Sequence, residues 1–242
     1  LYKKYEKCDE EEKDSMASNP LTPAESTDLR QIVYKKIRDA ILKGIIKPGE
    51  KLSEAELAQT LAVSRTPIRE AIRQLAQTGI VQLVPRKGAY VALPTEKDVY
   101  DLYEVRIALE TIAVKIMCKN PPKGEELIHF KEYFLSVDRD TDSNAFLEQD
   151  TAFHSFLHES CDNRFLNQFL MEAFDLIQLC RHYSIVGVNL KESAMEHVKI
   201  IDAILVGREE EAAQLLRVHL QGARDVLLLF LKSSSQISNK LP

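Results

Sequence analysis

The chain has 242 residues, 45% of them hydrophobic, which is enough for two domains that each bury a core. The formal net charge of -5 is unevenly distributed: residues 27–94 carry 12 Lys and Arg against 6 Asp and Glu, a balance of +6, whereas residues 95–232 carry 15 against 24, a balance of -9. This asymmetry favours nucleic-acid binding by the first segment only, and no apolar run approaches the ~20 residues that a membrane span requires.

The N-terminal segment, residues 1–26, is charged and then rich in Pro and Ser, which predicts a mobile tail. The first firm helix is predicted over residues 28–43, where Leu29, Ile32 and Val33 begin a helical repeat of apolar side chains. Gly44 ends this helix, and a turn over residues 47–50 leads into the next element.

Residues 53–79 predict two short helices joined by a turn. Ser53 is suited to cap the first helix, with Glu56 three residues later completing a capping box. The second helix is predicted to begin at Ser64 or Thr66 and to end at Gly79. Its buried stripe at helical spacing comprises Ile68, Ala71, Ile72 and Leu75.

Side chains suited to DNA contact lie off that stripe, near the start or on the outer face of the second helix. They are Arg65, Thr66, Arg69 and Arg73. A helix of this kind can enter the major groove, where arginines reach guanine edges or phosphates. A hairpin is predicted next, with strands over residues 80–84 and 89–93 and a basic tip that includes Lys87 and Gly88. The pattern predicts a winged helix-turn-helix domain over residues 27–93; an ordinary helical hairpin with solvated arginines is the alternative.

From residue 95 onward there is no strand pattern, only amphipathic helices with short connections. They are predicted over residues 96–119, 124–137, 143–160, 164–184, 192–206 and 209–232. The inward stripe of the first of them is predicted to comprise Val99, Leu102, Val105, Leu109, Ile112 and Ile116. The fold is therefore predicted to be mainly α, with an antiparallel bundle of six helices over residues 95–232 and a loose tail over residues 233–242.

Four polar residues occur among apolar neighbours on three of the predicted bundle helices. Asp150 and His154 stand four apart on one helix, while His197 and His219 lie on two later ones. A charged Asp buried in a bundle would be costly, and a bound cation would offset that cost. One carboxylate and three imidazoles suit Zn²⁺ or Ni²⁺, with Mn²⁺ and Fe²⁺ as alternatives. On spacing alone, ordinary core histidines remain the other interpretation.

The stretch VSRTPIREAIRQLAQTGIV followed by PRKGAYVA resembles the winged-helix domain of GntR transcription regulators over residues 28–93. The resemblance implies that Arg65, Thr66 and Arg69 contact DNA, together with Gly88 at the tip of the wing. Relatives often carry Arg in the segment that matches Glu54-Ala55-Glu56, whereas this chain has Ala55. We therefore expect one DNA contact to be missing and the operator to differ.

Residues 95–232 resemble the FCD effector domain of the FadR subfamily, an all-helical bundle with a central metal in many members. Its ligand pattern is Asp-x-x-x-His on one helix and one His on each of two later helices. Asp150, His154, His197 and His219 match all four positions, which implies one divalent metal ion per chain.

The same resemblance assigns an effector-binding residue. Arg106, in YEVRIALE, matches the arginine that pairs with the carboxylate of the effector, and a guanidinium suits bidentate carboxylate binding. The alternative is an exposed arginine paired with Glu110 one turn away. His129, His158 and His182 match no ligand position; for His158 a surface position or a supporting role near the site is expected.

The predicted function is a cytoplasmic, homodimeric transcription regulator, in the family's commoner mode a repressor, that binds double-stranded operator DNA and responds to a small carboxylic acid. The four scattered cysteines form no CxxC pair and predict reduced thiols. The alternatives are a metal-dependent hydrolytic or lyase-type enzyme with a fused DNA-binding head, and a metal sensor proper. No general base or nucleophile stands at a motif spacing near the ligands, which favours a protein that is not an enzyme.

Overall fold

The structure is a computed structural model that describes residues 27–120 and 125–238. The predicted tail over residues 1–26 and the last four residues of the chain lie outside this part. None of the described helices combines the length and the apolar character needed to cross a bilayer.

The N-terminal domain is a winged helix-turn-helix, as predicted. Its elements are α1 Thr27–Leu42, β1 Lys51–Leu52, α2 Glu54–Thr60, α3 Arg65–Gln77, β2 Val81–Val84 and β3 Gly88–Val91. The three strands form an antiparallel sheet in the order β1-β3-β2. Strand β1 was not predicted, because two residues are too short to show an alternating pattern and only the pairing with β3 defines the strand.

The turns of this domain have specific local causes. The Ser53 hydroxyl accepts a hydrogen bond of 3.3 Å from the Glu56 amide and so caps α2. Gly79 follows α3 with φ of 81°, a left-handed conformation that glycine adopts without steric cost. Its place between α3 and β2 turns the chain from this helix into the wing.

Within residues 95–120 and 125–238, the C-terminal domain is a bundle of six α-helices, again as predicted. They are α4 Glu96–Lys119, α5 Glu125–Ser136, α6 Ser143–Glu159, α7 Arg164–Ser184, α8 Leu190–Leu205 and α9 Glu209–Ser238, with a short 3-10 turn at Ile185–Gly187. The prediction of a loose tail was wrong for residues 233–238, because these residues continue α9. No Gly or Pro interrupts them, and the Ser233 hydroxyl donates to the Phe230 carbonyl at 2.8 Å, which suits a helix.

The predicted inward stripe of α4 was right for Val99, which is fully buried, and wrong in its middle part. Val105 and Ile112 are 52% and 48% exposed, whereas Tyr103, Arg106 and Glu110 lie on the buried face. Apolar side chains occur on more than one side of α4, so periodicity alone does not select the inner one. The buried face accepts two opposite charges because they pair with each other.

Helix α7 joins the two domains. Leu179 is fully buried in the core of the N-terminal domain, and Leu176 packs against the same core. Asp175 accepts hydrogen bonds from the Nε of Arg38 on α1, at 2.9 Å to each carboxylate oxygen. The end of α1 is also close, since a Cβ added to Gly44 would lie 2.5 Å from Nε2 of His182. The N-terminal domain therefore rests on the same helix that continues into the centre of the bundle.

Candidate metal centre and DNA-contact surface

The four predicted metal ligands meet at the centre of the helical domain. Asp150 and His154 come from adjacent turns of α6, His197 from α8 and His219 from α9. One ligand atom from each residue lies within 4.8 Å of those of the other three, and all four residues are buried. The structure thus brings together residues separated by up to 69 positions in the chain.

The unmet hydrogen-bonding capacity of this cluster fits a cation. Asp150 Oδ1 lies 3.4 Å from His197 Nε2, and Asp150 Oδ2 lies 3.9 Å from His154 Nε2. His154 Nε2 and both ring nitrogens of His197 have no hydrogen-bond partner within the described residues. A buried polar atom left unpaired costs about 1–3 kcal/mol, which coordination to a metal would recover. A carboxylate with three imidazoles is a donor set of the kind that Zn²⁺ accepts.

The protonation states also suit coordination. Burial lowers the pKa of His154 to about 4 and that of His197 well below its usual value, so both rings are neutral at pH 7. For Asp150 burial acts to raise the pKa, but the Arg181 guanidinium and then the imidazoles bring it below its ordinary value. The site therefore presents an ionised carboxylate at Asp150 and neutral imidazoles at His154 and His197, which are the forms that bind metal ions.

Two glutamates fix the orientation of ligand rings. Glu110 Oε2 lies 2.7 Å from Nδ1 of His154, and Glu196 Oε2 lies 2.7 Å from Nδ1 of His219. Each contact leaves the Nε2 atom of the ring for the centre of the cluster, an arrangement that raises the basicity of a histidine ligand. Neither role was predicted from the sequence. Glu110 was seen only as a neighbour of Arg106, and the contact from Glu196 crosses between helices.

Arg106 is only 2% exposed and lies behind the ligands, beside Glu110. Its Nε donates to Glu110 Oε1 at 2.5 Å, so the i,i+4 pair exists but is buried rather than exposed. Its Nη1 has no hydrogen-bond partner among the described residues. His158 is buried, and its Nε2 lies 3.4 Å from Glu110 Oε1. The surface position expected as one alternative for His158 is therefore excluded.

A cavity of about 240 Å³ lies beside the cluster. Asp150 and His219 form part of its wall, so two of the four candidate ligands face it. Arg181, Glu196, Asn189 and Ser193 supply further polar groups. The cavity is large enough for a small organic molecule and offers polar groups that could fix its orientation.

The candidate DNA-contact residues are all exposed. On α3 they are Arg65, Thr66, Arg69 and Arg73, and at the wing tip they are Lys87 and Gly88. Arg69 pairs with Glu54 across the helix-turn-helix, at 2.7 Å between Nη2 and Oε2. The buried side of α3 is apolar as predicted, so its charged side is left for a partner.

We expect Arg65→Ala to weaken binding to an operator selected from random duplex DNA by about 1–3 kcal/mol, since it removes a cation from the first turn of α3. Anisotropy titration of labelled DNA measures the effect. Arg139→Ala, at an exposed position of the bundle, is the matched control for loss of one charge. Equal affinity of Arg65→Ala and wild type would exclude Arg65 from the contact.

Comparison with known families gives two matches that together cover most of the chain. Residues 29–91 match the family described as bacterial regulatory proteins, gntR family, and residues 101–222 match the FCD domain. FCD domains commonly bind a metal ion, and the buried Asp and His cluster lies within the matched residues.

Curated relatives and solved structures agree with these matches. The HTH-type transcriptional regulator YdhC of Bacillus subtilis is 31% identical over 190 residues, which cover 77% of this chain and 85% of that protein. The gluconate operon transcriptional repressor of Bacillus subtilis is 31% identical over 185 residues, which cover 73% of this chain and 72% of that protein. A GntR transcriptional regulator from Rhodococcus sp. RHA1 superposes with a TM-score of 0.71 at 25% identity, covering 82% of this chain and 97% of that one. Escherichia coli McbR/YncC has the same fold, with a TM-score of 0.71 at 20% identity and coverage of 82% and 96%.

Proposed function

We propose, from the premise that this chain belongs to the GntR family of bacterial regulatory proteins with an FCD domain, that its helical domain binds a divalent metal and a small carboxylic acid that together control operator binding. The chain is a DNA-binding transcription regulator, in keeping with relatives that are repressors. The matched families and relatives are transcription regulators and not enzymes, which removes the metalloenzyme alternative. Because its target is chromosomal DNA, we place its action in the bacterial cytoplasm.

The observation that carries the metal proposal is the buried cluster with its unpaired ring nitrogens. Asp150, His154, His197 and His219 would hold one ion per chain, Zn²⁺ or Ni²⁺ before Mn²⁺ or Fe²⁺. When bound, such an ion supplies concentrated positive charge with positions open to a carboxylate. Glu110 and Glu196 keep the ligand rings turned toward it.

The size and wall of the cavity support a small acid as the effector. Asp150 and His219 face it, so an acid placed there would lie next to the metal ligands. Arg106 is proposed to add its charge, since its buried Nη1 has no partner within the described part of the chain. A relative named for a gluconate operon favours a hydroxy acid or sugar acid.

Coupling to DNA requires the acid to prefer one arrangement of the two domains. We propose that α7 transmits this preference, because its two sides touch the two sites. On one side Asp175 and Leu179 contact the DNA-binding domain. On the other, Gln178 Oε1 accepts from the Thr151 hydroxyl at 2.9 Å and Arg181 contacts Asp150, so both reach the helix that carries two candidate ligands.

A thermal-shift screen tests the proposal directly. Metal-loaded protein is heated with citrate, succinate, L-lactate or D-gluconate, and at least one should raise the Tm, because a ligand bound only to the folded state stabilises it. The same acid should change operator affinity. If metal alone changes operator affinity and no acid has an effect, the protein is a metal sensor proper and the acid proposal is wrong.

A homodimer is proposed because two half-sites supply the affinity that one small winged helix lacks. The exposed side of α4 supports this assembly. Apolar residues recur there at the alternating spacing of three and four typical of a helix–helix seam: Leu102, Val105, Leu109, Ile112 and Ile116, of which Leu109 and Ile116 also pack against the bundle core. None of these five is fully buried in a single chain, and Val105 and Ile112 are about half exposed, which suits packing against a second copy.

We expect the double variant Val105→Glu/Ile112→Glu to shift the protein from dimer to monomer at micromolar concentration, because it places two charges within the proposed apolar seam. Light scattering measures the mass. Leu135→Glu, on an exposed face of α5, is the control for adding a charge in place of an exposed apolar side chain. A monomeric wild type, with and without operator, would contradict the dimer.

A further inference from the structure

We propose that Arg181 binds the carboxylate of the effector from within the cavity and gives up its contact with Asp150 to do so. This inference rests on the proposed function, since it assigns a new residue to the acid site. Arg181 lies near the end of α7, and its guanidinium contacts Asp150 Oδ2. No role was predicted for this residue from the sequence.

The charge of the cavity wall singles out Arg181. Among the described residues, it is the one Lys or Arg that lines the cavity. The other ionisable groups there include Asp150, Glu192 and Glu196, which would repel an anion. An acid that enters this space therefore needs a cation to face, and the guanidinium offers two parallel N–H donors that match a carboxylate.

Arg106 cannot take this place without a rearrangement. Its guanidinium is held by Glu110 and does not line the cavity, whereas the side chain of Arg181 is 11% exposed. We therefore assign the direct contact to Arg181 and a supporting charge to Arg106. Tyr103 separates the two, since it lines the cavity and also lies under the Arg106 guanidinium, 5.4 Å from ring centre to Cζ.

The partner of Arg181 explains how the contact would be exchanged. Asp150 is buried and is also a candidate metal ligand, so a metal ion and Arg181 share the same negative charge. Two cations on one carboxylate repel each other, and an anion placed beside both relieves that repulsion. The metal and the acid are thus expected to bind together more tightly than either alone.

The test compares Arg181→Gln and Arg181→Lys with wild type, all loaded with Zn²⁺, using whichever of citrate, succinate, L-lactate or D-gluconate shifts the wild-type Tm most. We expect the Kd for that acid to rise about tenfold or more in Arg181→Gln and less in Arg181→Lys, which keeps the charge beside Asp150. Zn²⁺ content should be retained in both, and Zn²⁺ should bind Arg181→Gln at least as tightly as wild type. Arg164→Gln, at the other end of α7, is the matched control and should bind the acid like wild type.

The outcomes separate this inference from the function on which it rests. If no acid shifts the wild type, the proposed function fails first. If the wild type responds and both Arg181 variants bind the acid equally well, Arg181 is not the carboxylate contact. If Arg181→Lys loses Zn²⁺ and acid binding together, the residue only maintains the metal cluster and the inference is overturned.

Discussion

His219→Ala is expected to abolish the metal-dependent part of the protein's stability. With free metal at 100 times its Kd, binding adds about 2.7 kcal/mol to the free energy of unfolding of the wild type. For a chain of this size that raises the Tm by about 5–10 °C. The variant removes one of four ligands from a buried cluster, so added metal should no longer raise its Tm. Differential scanning calorimetry with and without metal measures the change.

Two further variants sharpen this result. His129→Ala removes an exposed histidine outside the cluster and should keep the full metal response. Glu196→Gln keeps the side-chain shape beside His219 but not its charge, and should weaken metal binding by about 10–100-fold. Elemental analysis after mild dialysis decides the matter: equal metal in wild type and His219→Ala would place the site elsewhere. Operator DNA should still bind His219→Ala, because His219 is not part of the core of the winged domain.

The sequence predicted most of the helices and the four candidate metal ligands. Helix α7 begins and ends at the residues predicted, because its apolar repeat is long and Asn163 caps its start through an accepted bond from the Leu166 amide. Asp150 and His154 share a helix face by spacing alone. The prediction that His197 and His219 lie beside them depended on the family resemblance. No local sequence pattern determines how separate helices are rotated toward one another.

What could not be predicted depends on tertiary packing. The inner side of α4 is one case: the sequence offers two apolar sides, and the structure buries the one with Arg106 and Glu110. The role of Arg181 is a second case. This residue follows the apolar stripe of α7, and the local sequence shows only a charged residue near a helix end. Its contact with Asp150 appears only when α6 and α7 pack together. Pairs of this kind are found by geometry rather than by periodicity.

Asp175→Asn is expected to weaken the effect of the acid on operator binding while leaving acid binding intact. Asp175 is buried and forms the bidentate pair with Arg38 that joins α7 to the DNA-binding domain. An amide keeps the size of the side chain but loses the charge that holds the guanidinium. Couplings of this kind are typically worth about 1–3 kcal/mol, or 5–150-fold in affinity. The ratio of operator Kd with and without acid should therefore move toward one.

The control is Asp202→Asn, which makes the same change in a more exposed pair with Lys131 inside the bundle and should keep the wild-type ratio. Isothermal titration of the acid and anisotropy titration of the operator measure the two affinities separately. Each domain retains its own apolar core without the pair, so both ligands should still bind. An unchanged ratio in Asp175→Asn would show that Arg38 and Asp175 carry none of the coupling. The contacts to vary would then be Leu176 and Leu179, which enter the core of the DNA-binding domain from the same helix.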